Sequence, residues 1–214
     1  MSSEAVRFLQ HENARLHTET QLQQAHIQTL QTHIHALADL YYASHEIMRA
    51  NTALHTLDQL FEEVISVVGA KDGSLLKLDP QTKDLMFVLV HGQLREELPG
   101  HHIPSDVGVA GWVVQNQEPV IVNEPHQDWR FSFEVDQEFA FLTQSILCVP
   151  VQCGEALIGV IEFINKEPGK FADSDLVLVQ TLAHIAAIVL EKEPDYSPPP
   201  ESEAQTNADD ALHL

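Results

Sequence analysis

One carboxylate sits where its surroundings are apolar. In the run "ALIGVIEFINK", alternation along an extended strand puts Ala156, Ile158, Val160, Glu162 and Ile164 on one face and Leu157, Gly159, Ile161, Phe163 and Asn165 on the other. Both faces are mostly apolar, which predicts a central strand covered on both sides. Glu162 is thereby carried under whatever covers its face, where a carboxyl either finds donors or holds its proton. Such a group is a ligand-facing acceptor or a tie to the backbone N–H groups of a covering loop, and the sequence leaves both readings open. A candidate cover is the long irregular segment from Glu124 to Phe141, which carries Trp129, Phe131, Phe133, Phe139 and Phe141. A segment of this length in a compact domain, and this aromatic, predicts a lid over the sheet.

Other chemistry-bearing residues form no known catalytic pattern. There is no G-x-S-x-G elbow, no phosphate loop and no H-E-x-x-H motif. The two cysteines, Cys148 and Cys153, lie on an expected strand and in the turn after it; the spacing puts them on opposite strand faces, and two thiols do not make a structural zinc site. His91, His101, His102 and His126 fall in or next to loops without metal-ligand spacing, so no metal site is expected. The 214 residues hold 32 acidic against 11 basic side chains, a formal net charge of -21, which argues against a nucleic-acid surface. No apolar run near eighteen residues stands out and no basic leader precedes an apolar core, so neither a membrane span nor secretion is expected and the expected compartment is the cytoplasm.

The elements that must position these residues follow from periodicity. Residues 1–40 carry a heptad, with Val6, Asn13, Thr20, Ile27 and Ile34 at a and Leu9, Leu16, Gln23, Leu30 and Leu37 at d. This predicts a coiled-coil helix and a parallel homodimer, with Asn13 setting the register. Residues 41–192 form the globular part. "TLDQLFEEVISVVGA" reads as an amphipathic helix, "GSLLKLD" and "LMFVLVH" as a hairpin, "GVAGWVVQNQ" as a short helix and "PVIVN" as a short strand. "SILCVPV" and "ALIGVIEFINK" make a second hairpin, and "DSDLVLVQTLAHIAAIVLEK" a closing helix with Asp173 or Ser174 available as its cap. Residues 193–214, rich in Pro, Ser and acid, are expected to be disordered. The order predicts an α+β domain: one central antiparallel sheet with the terminal helices together on one face.

The strings "GVAGWVVQNQEPVIVN", "DWRF", "FLTQSILCVPV", "IGVIEFINK" and "LAHIAAIVLE" resemble those of a GAF domain, across about residues 41–192. The resemblance implies a GAF-like central antiparallel sheet with terminal helices on one face and a lidded pocket on the other. It is strongest to the GAF domains of cyclic-nucleotide phosphodiesterases and their bacterial signalling relatives. Asn165, Lys166, Phe171 and Asp175 match a scaffold signature of that group, with Leu176 where a Glu belongs. By the same resemblance the ligand-contacting positions are Ser74, His91, Val109, Ala110, Phe131, Ser132, Phe139, Thr143 and Glu162. Ser132 stands in place of an aromatic residue and Phe139 in place of a Thr, which removes stacking area and a hydrogen bond from a purine and leaves cyclic GMP a poor candidate.

The expected function is that of a non-catalytic signal-transduction module. A dimeric GAF domain senses a small molecule, of which a nucleotide is one type, and relays its state through the terminal helices to a partner protein, since no output domain accompanies it. Two alternatives are a ligand-free dimerisation scaffold and an enzyme of the free methionine sulfoxide reductase type. No partner membrane or nucleic acid is expected.

Overall fold

The computed structural model describes residues 53–192, together with residues 12, 15, 16 and 18–23. The expected coiled coil therefore lies outside the described residues apart from those nine, which are helical and expose Leu16, an expected seam residue, and Leu22. The expected acidic tail of residues 193–214 lies outside them altogether.

The chain from residue 53 runs α1 (Ala53–Val68), β1 (Ala70–Leu78), β2 (Asp84–His91), β3 (His102–Pro104), α2 (Gly108–Asn116), β4 (Val120–Val122), a 3-10 turn (Pro125–Gln127), α3 (Glu134–Glu138), β5 (Ile146–Cys153), β6 (Ala156–Lys166) and α4 (Asp173–Lys192). The strands make one six-stranded sheet in the order β3-β2-β1-β6-β5-β4, with every neighbouring pair antiparallel. The architecture is α+β, as the alternation of hairpins and amphipathic helices predicts. The short edge strand β3 and the helix α3 are additions that the sequence pattern did not show: three and five residues are too few for a period.

The sheet has a core on each face. On one face, Leu75, Leu147, Val149, Ile161 and Phe163 pack against α1 and α4, and Leu57, Phe61, Val64, Leu178 and Leu182 fill the space between. Full burial of each such side chain contributes about 1.5–3 kcal/mol, which makes this the principal stabilising layer. On the other face Leu76, Val90, Ile146, Cys148 and Val160 pack with Val109, Ala110 and Val113 of α2. β6 is thus covered twice, as its two apolar faces require. Its alternation slips near the start, where Ile158 joins the helix side beyond the irregularity opposite Val151 and Gln152. Gly159 allows β6 to lie close to β1, because any Cβ there would collide with the Leu76 carbonyl.

Two sequence expectations are corrected. The stretch Asp173–Glu191 has a mean hydropathy of 1.5 and is long and apolar enough to cross a membrane. Its apolar side chains are spent on the sheet instead: Leu178, Val179, Leu182, Ala186 and Val189 are all buried in the core. Its cap is neither Asp173 nor Ser174. Asp175, three residues into the first turn, accepts the Ala172 N–H at 2.9 Å and pairs with Lys166 Nζ at 2.6 Å.

The expected scaffold residues tie down the ends of the segment over the second face. Asn165, in a left-handed conformation at φ 60°, donates to the Leu142 carbonyl at 2.9 Å and accepts the Gln144 N–H at 2.7 Å. Phe171 is buried, and its backbone N–H and carbonyl both bond the Asn123 side chain, at 2.9 and 3.1 Å. Residues 124–141 are therefore a strap, anchored at its entry through Asn123 and at its exit through Asn165.

Candidate functional site

Beneath that strap lies a cavity of about 110 Å³. Its floor is a ladder row that crosses the sheet: Val90 opposes Ser74, Ser74 opposes Glu162, and Glu162 opposes Cys148. Opposed residues in an antiparallel pair share a face with Cβ atoms about 4.5–5.5 Å apart, so hydroxyl, carboxyl and thiol stand side by side. The walls are apolar and aromatic, with Phe87, Leu94, Leu98, Ile103, Phe131 and Phe141. Gly108, Val109 and Ala110, at the first turn of α2, close one end. Gly108 takes φ 73°, and the nearest atom to a Cβ there would be Ser132 Cβ at 3.8 Å, so the left-handed turn leaves the helix entrance open beneath the strap.

The polar floor is poorly satisfied. The Ser74 hydroxyl is buried and has no hydrogen-bond partner among the described residues. Glu162 keeps some accessible surface although it lies deep in the fold, because the cavity reaches it. Burial pushes its carboxyl up to about 7, against which the Cys148 thiol, its hydrogen-bond partner, pulls slightly down. Cys148 is fully buried, and that burial first, then the neighbouring Glu162 charge, raises its own thiol well above the ordinary range. No Lys or Arg lines the cavity; its ionisable lining is Asp72, Glu134, Asp136 and Glu162, with His91 at the edge.

The strap is held down by two further contacts. Asp136 of α3 accepts both the Thr143 N–H at 2.9 Å and the Thr143 hydroxyl at 2.7 Å. Arg130 forks onto Asp128 at 2.9 and 2.6 Å, holding that carboxyl below its usual range, and lies 4.8 Å over the Trp112 ring of α2. The aromatic residues divide. Phe131 and Phe141 face the cavity, Phe133 stacks on His126 at 5.3 Å, and Trp129 is 85% exposed.

Of the nine expected ligand-contacting residues, Ser74, Val109, Ala110, Phe131, Ser132, Thr143 and Glu162 line the cavity. The Thr143 hydroxyl is taken by Asp136. His91 lines the rim, but its side chain differs from expectation. Its register partner Gly73 faces the helices, so the imidazole reaches the other side of the sheet, where Nε2 meets Asp58 Oδ1 at 2.8 Å and the ring stacks on Phe61 at 5.6 Å. Phe139 is not part of the cavity lining: it follows α3, outside the bend at Ala140 (φ 51°), and packs edge-on against His101 at 5.5 Å. The sequence reading missed Asp136 and Phe141 as members of the cavity lining, and Cys148 as the buried cross-strand neighbour of Glu162. Cys148 and Cys153 lie apart along β5, and the Cys153 thiol donates to Glu191 Oε2 at 3.1 Å. Among the described residues no group of three His, Cys, Asp or Glu side chains could hold a metal ion.

The family model described as "GAF domain" matches residues 51–191. A probable 3',5'-cyclic phosphodiesterase of Caenorhabditis elegans is 30% identical over 97 residues, 45% of this chain and 13% of that protein, so the chain spans only a small part of that relative's length. Among solved structures, the GAF domain of an Acinetobacter phosphoenolpyruvate-protein phosphotransferase superposes with a TM-score of 0.62 at 22% identity, covering 74% of this chain and 94% of that one. The free methionine-R-sulfoxide reductase of Neisseria meningitidis superposes with a TM-score of 0.59 at 17% identity, covering 72% of this chain and 87% of that one. At these identities the two structures show a shared fold.

Proposed function

The chain belongs to the GAF domain family, and on that premise we propose that it is a regulatory module of signal transduction that binds a small molecule in the cavity under the 124–141 strap. The observation that carries this reading is the floor of the cavity: a buried hydroxyl without a partner beside a carboxyl whose partner is a thiol, a weak donor, both beneath the strap. Leaving a buried hydroxyl unpaired costs about 1–3 kcal/mol, and a ligand that pairs it recovers that cost. Binding biases the strap only through differential affinity for its states. The rim residue His91 then offers a route outward, since its imidazole is fixed to Asp58 of α1 on the opposite face. In this reading the chain is a homodimer through its N-terminal heptads and terminal helices, and it passes its state to a protein partner.

The reading is non-catalytic. The cysteines lie apart, and the one beside the cavity is buried with its thiol raised, which disfavours the thiolate that a reductase mechanism needs. Native mass spectrometry of the purified chain, combined with thermal-shift measurements against a nucleotide and metabolite panel, tests the proposal. A retained small molecule or a raised Tm is expected. A chain that retains nothing and responds to nothing is a scaffold. Sedimentation of the full chain against a variant lacking residues 1–40 tests the dimer, with a weaker dimer or a monomer expected for the truncated variant.

A further inference from the structure

Nothing in the cavity provides a positive charge. Its four carboxylates come from β1 (Asp72), the strap (Glu134 and Asp136) and β6 (Glu162), and no Lys or Arg lines it. Three are already engaged or peripheral. Asp72 Oδ1 accepts the Gln93 N–H at 2.8 Å, Asp136 is occupied by Thr143, and Glu134 is exposed on α3. Glu162 remains, with a thiol, a weak donor, as its partner from β5 and the unpartnered Ser74 hydroxyl beside it on β1. On β2 the nearest ionisable group is His91, which is turned away toward Asp58. A carboxylate and a hydroxyl oxygen at neighbouring ladder positions, about 5 Å apart at Cβ, offer two acceptors to one nitrogen. The aromatic edges and faces above, Phe87, Phe131 and Phe141, suit an alkyl body and tolerate a cation.

We propose that the ligand is a small organic cation, a protonated primary amine on a short apolar body, whose ammonium group bridges the Ser74 hydroxyl and the Glu162 carboxylate. This rests on the reading of the cavity as a ligand site and specifies its chemistry. A neutral ligand gains only hydrogen bonds from the floor, and an anion would meet four carboxylates and no base; a cation adds a charge pair with Glu162 to those hydrogen bonds. The overall charge of -21 acts in the same direction, concentrating cations at the surface. Binding requires Glu162 ionised. A carboxyl that titrates near 7 makes the amine displace a proton below that pH, so apparent affinity falls about tenfold for each pH unit below it.

The test uses the full chain and three matched probes: n-butylamine, n-butanol and n-butyrate, with cyclic GMP as a fourth. At about pH 8, n-butylamine raises Tm while the alcohol and the acid of equal length do not, and the effect weakens about tenfold in apparent affinity by about pH 6. Glu162→Gln loses the amine response by tenfold or more while melting cooperatively, and Ser74→Ala weakens it several-fold; the latter keeps the test decisive if the former fails to fold. A response to n-butanol equal to that of the amine, or an amine response unaffected by pH, overturns the inference. If cyclic GMP or n-butyrate stabilises the chain and the amine does not, the cation assignment falls while the ligand-site reading stands. If no probe acts and the purified chain retains no small molecule, both fall.

Discussion

Replacing Glu162 with Gln removes a charge and keeps the shape, so its effect on stability isolates what ionisation costs at the cavity floor. The carboxyl moves from 4.5 in the open chain to about 7 in the fold, because burial disfavours its charge. The folded state therefore binds the proton more tightly than the unfolded one. As pH rises from about 4.5 to about 7, the unfolded chain has released a proton that the fold still holds, and stability falls through that window and levels off above it. The displacement corresponds to about 3 kcal/mol at most; because the cavity reaches Glu162, screening there brings the expected figure to about 1–3 kcal/mol. Urea denaturation of both proteins from about pH 5 to about pH 8.5 measures it, and the difference between them cancels every other titrating group. The variant's advantage should be below about 1 kcal/mol near pH 5 and grow to about 1–3 kcal/mol at pH 8.5. Parallel curves across the range, or a variant that is less stable at high pH, would refute the assignment of a buried carboxyl without a charged partner to the floor.

Asp136→Ala removes both bonds from the strap to Thr143; hydrogen exchange should speed across residues 128–141 while the amides of β1 and β6 keep their protection, with a global loss of about 1–2 kcal/mol. Lys166→Ala removes the ammonium paired with Asp175, whose side chain is 1% exposed, and should cost about 3–5 kcal/mol in urea denaturation; a loss below about 1 kcal/mol would show that the other partners of that carboxylate suffice. Gly159→Ala drives a methyl group into the Leu76 carbonyl of the adjacent strand and should abolish cooperative unfolding or cost more than about 3 kcal/mol.

What the sequence revealed depended on how far a local rule had to reach. The alternation in β6 was enough to place Glu162 inside, because period two is a property of the strand itself. The helices α1 and α4 followed from apolar stripes of several turns. The thiol beside Glu162 did not follow, and the reason is a single residue. Counting back from the turn pair Cys153–Ala156 sets Cys148 opposite Ile161; the shift between Val151 and Gln152 moves the register by one and sets it opposite Glu162. A slip of one residue changes every cross-strand neighbour, and nothing in "CVPVQCGEA" marks where it occurs. The direction of the His91 ring was hidden by the same logic. Its position at the end of β2 was legible, but which face it takes was decided by an irregularity in pairing between Leu75 and Leu76. Phe139 misses the cavity because it follows the five-residue α3 and packs against the core of the strap face and edge-on to His101 instead.

The two faces of the sheet are finished in opposite ways, and that contrast bears on what the molecule does. The helix face is filled: Phe61 stacks on His91 and meets Phe163 edge-on, Asp58 takes the imidazole, and even Gly73 has its space occupied by Ile65 and Phe61. The strap face is secured at its edges and left open in the middle, with its hydrogen bonds spent on Asn123, Asn165 and Thr143 rather than on Ser74 or Glu162. A strap that served only to cap the sheet would be expected to bring donors to the floor, since backbone N–H groups lie all along it. Instead the anchors hold it clear of the one row where a hydroxyl and a carboxyl want partners. If adding n-butylamine at high pH removes the stability gap between wild type and Glu162→Gln, the partner that the floor lacks is a cation. If the gap persists at saturating amine, the charge is compensated by some other route and the open row is a cost that the fold simply bears.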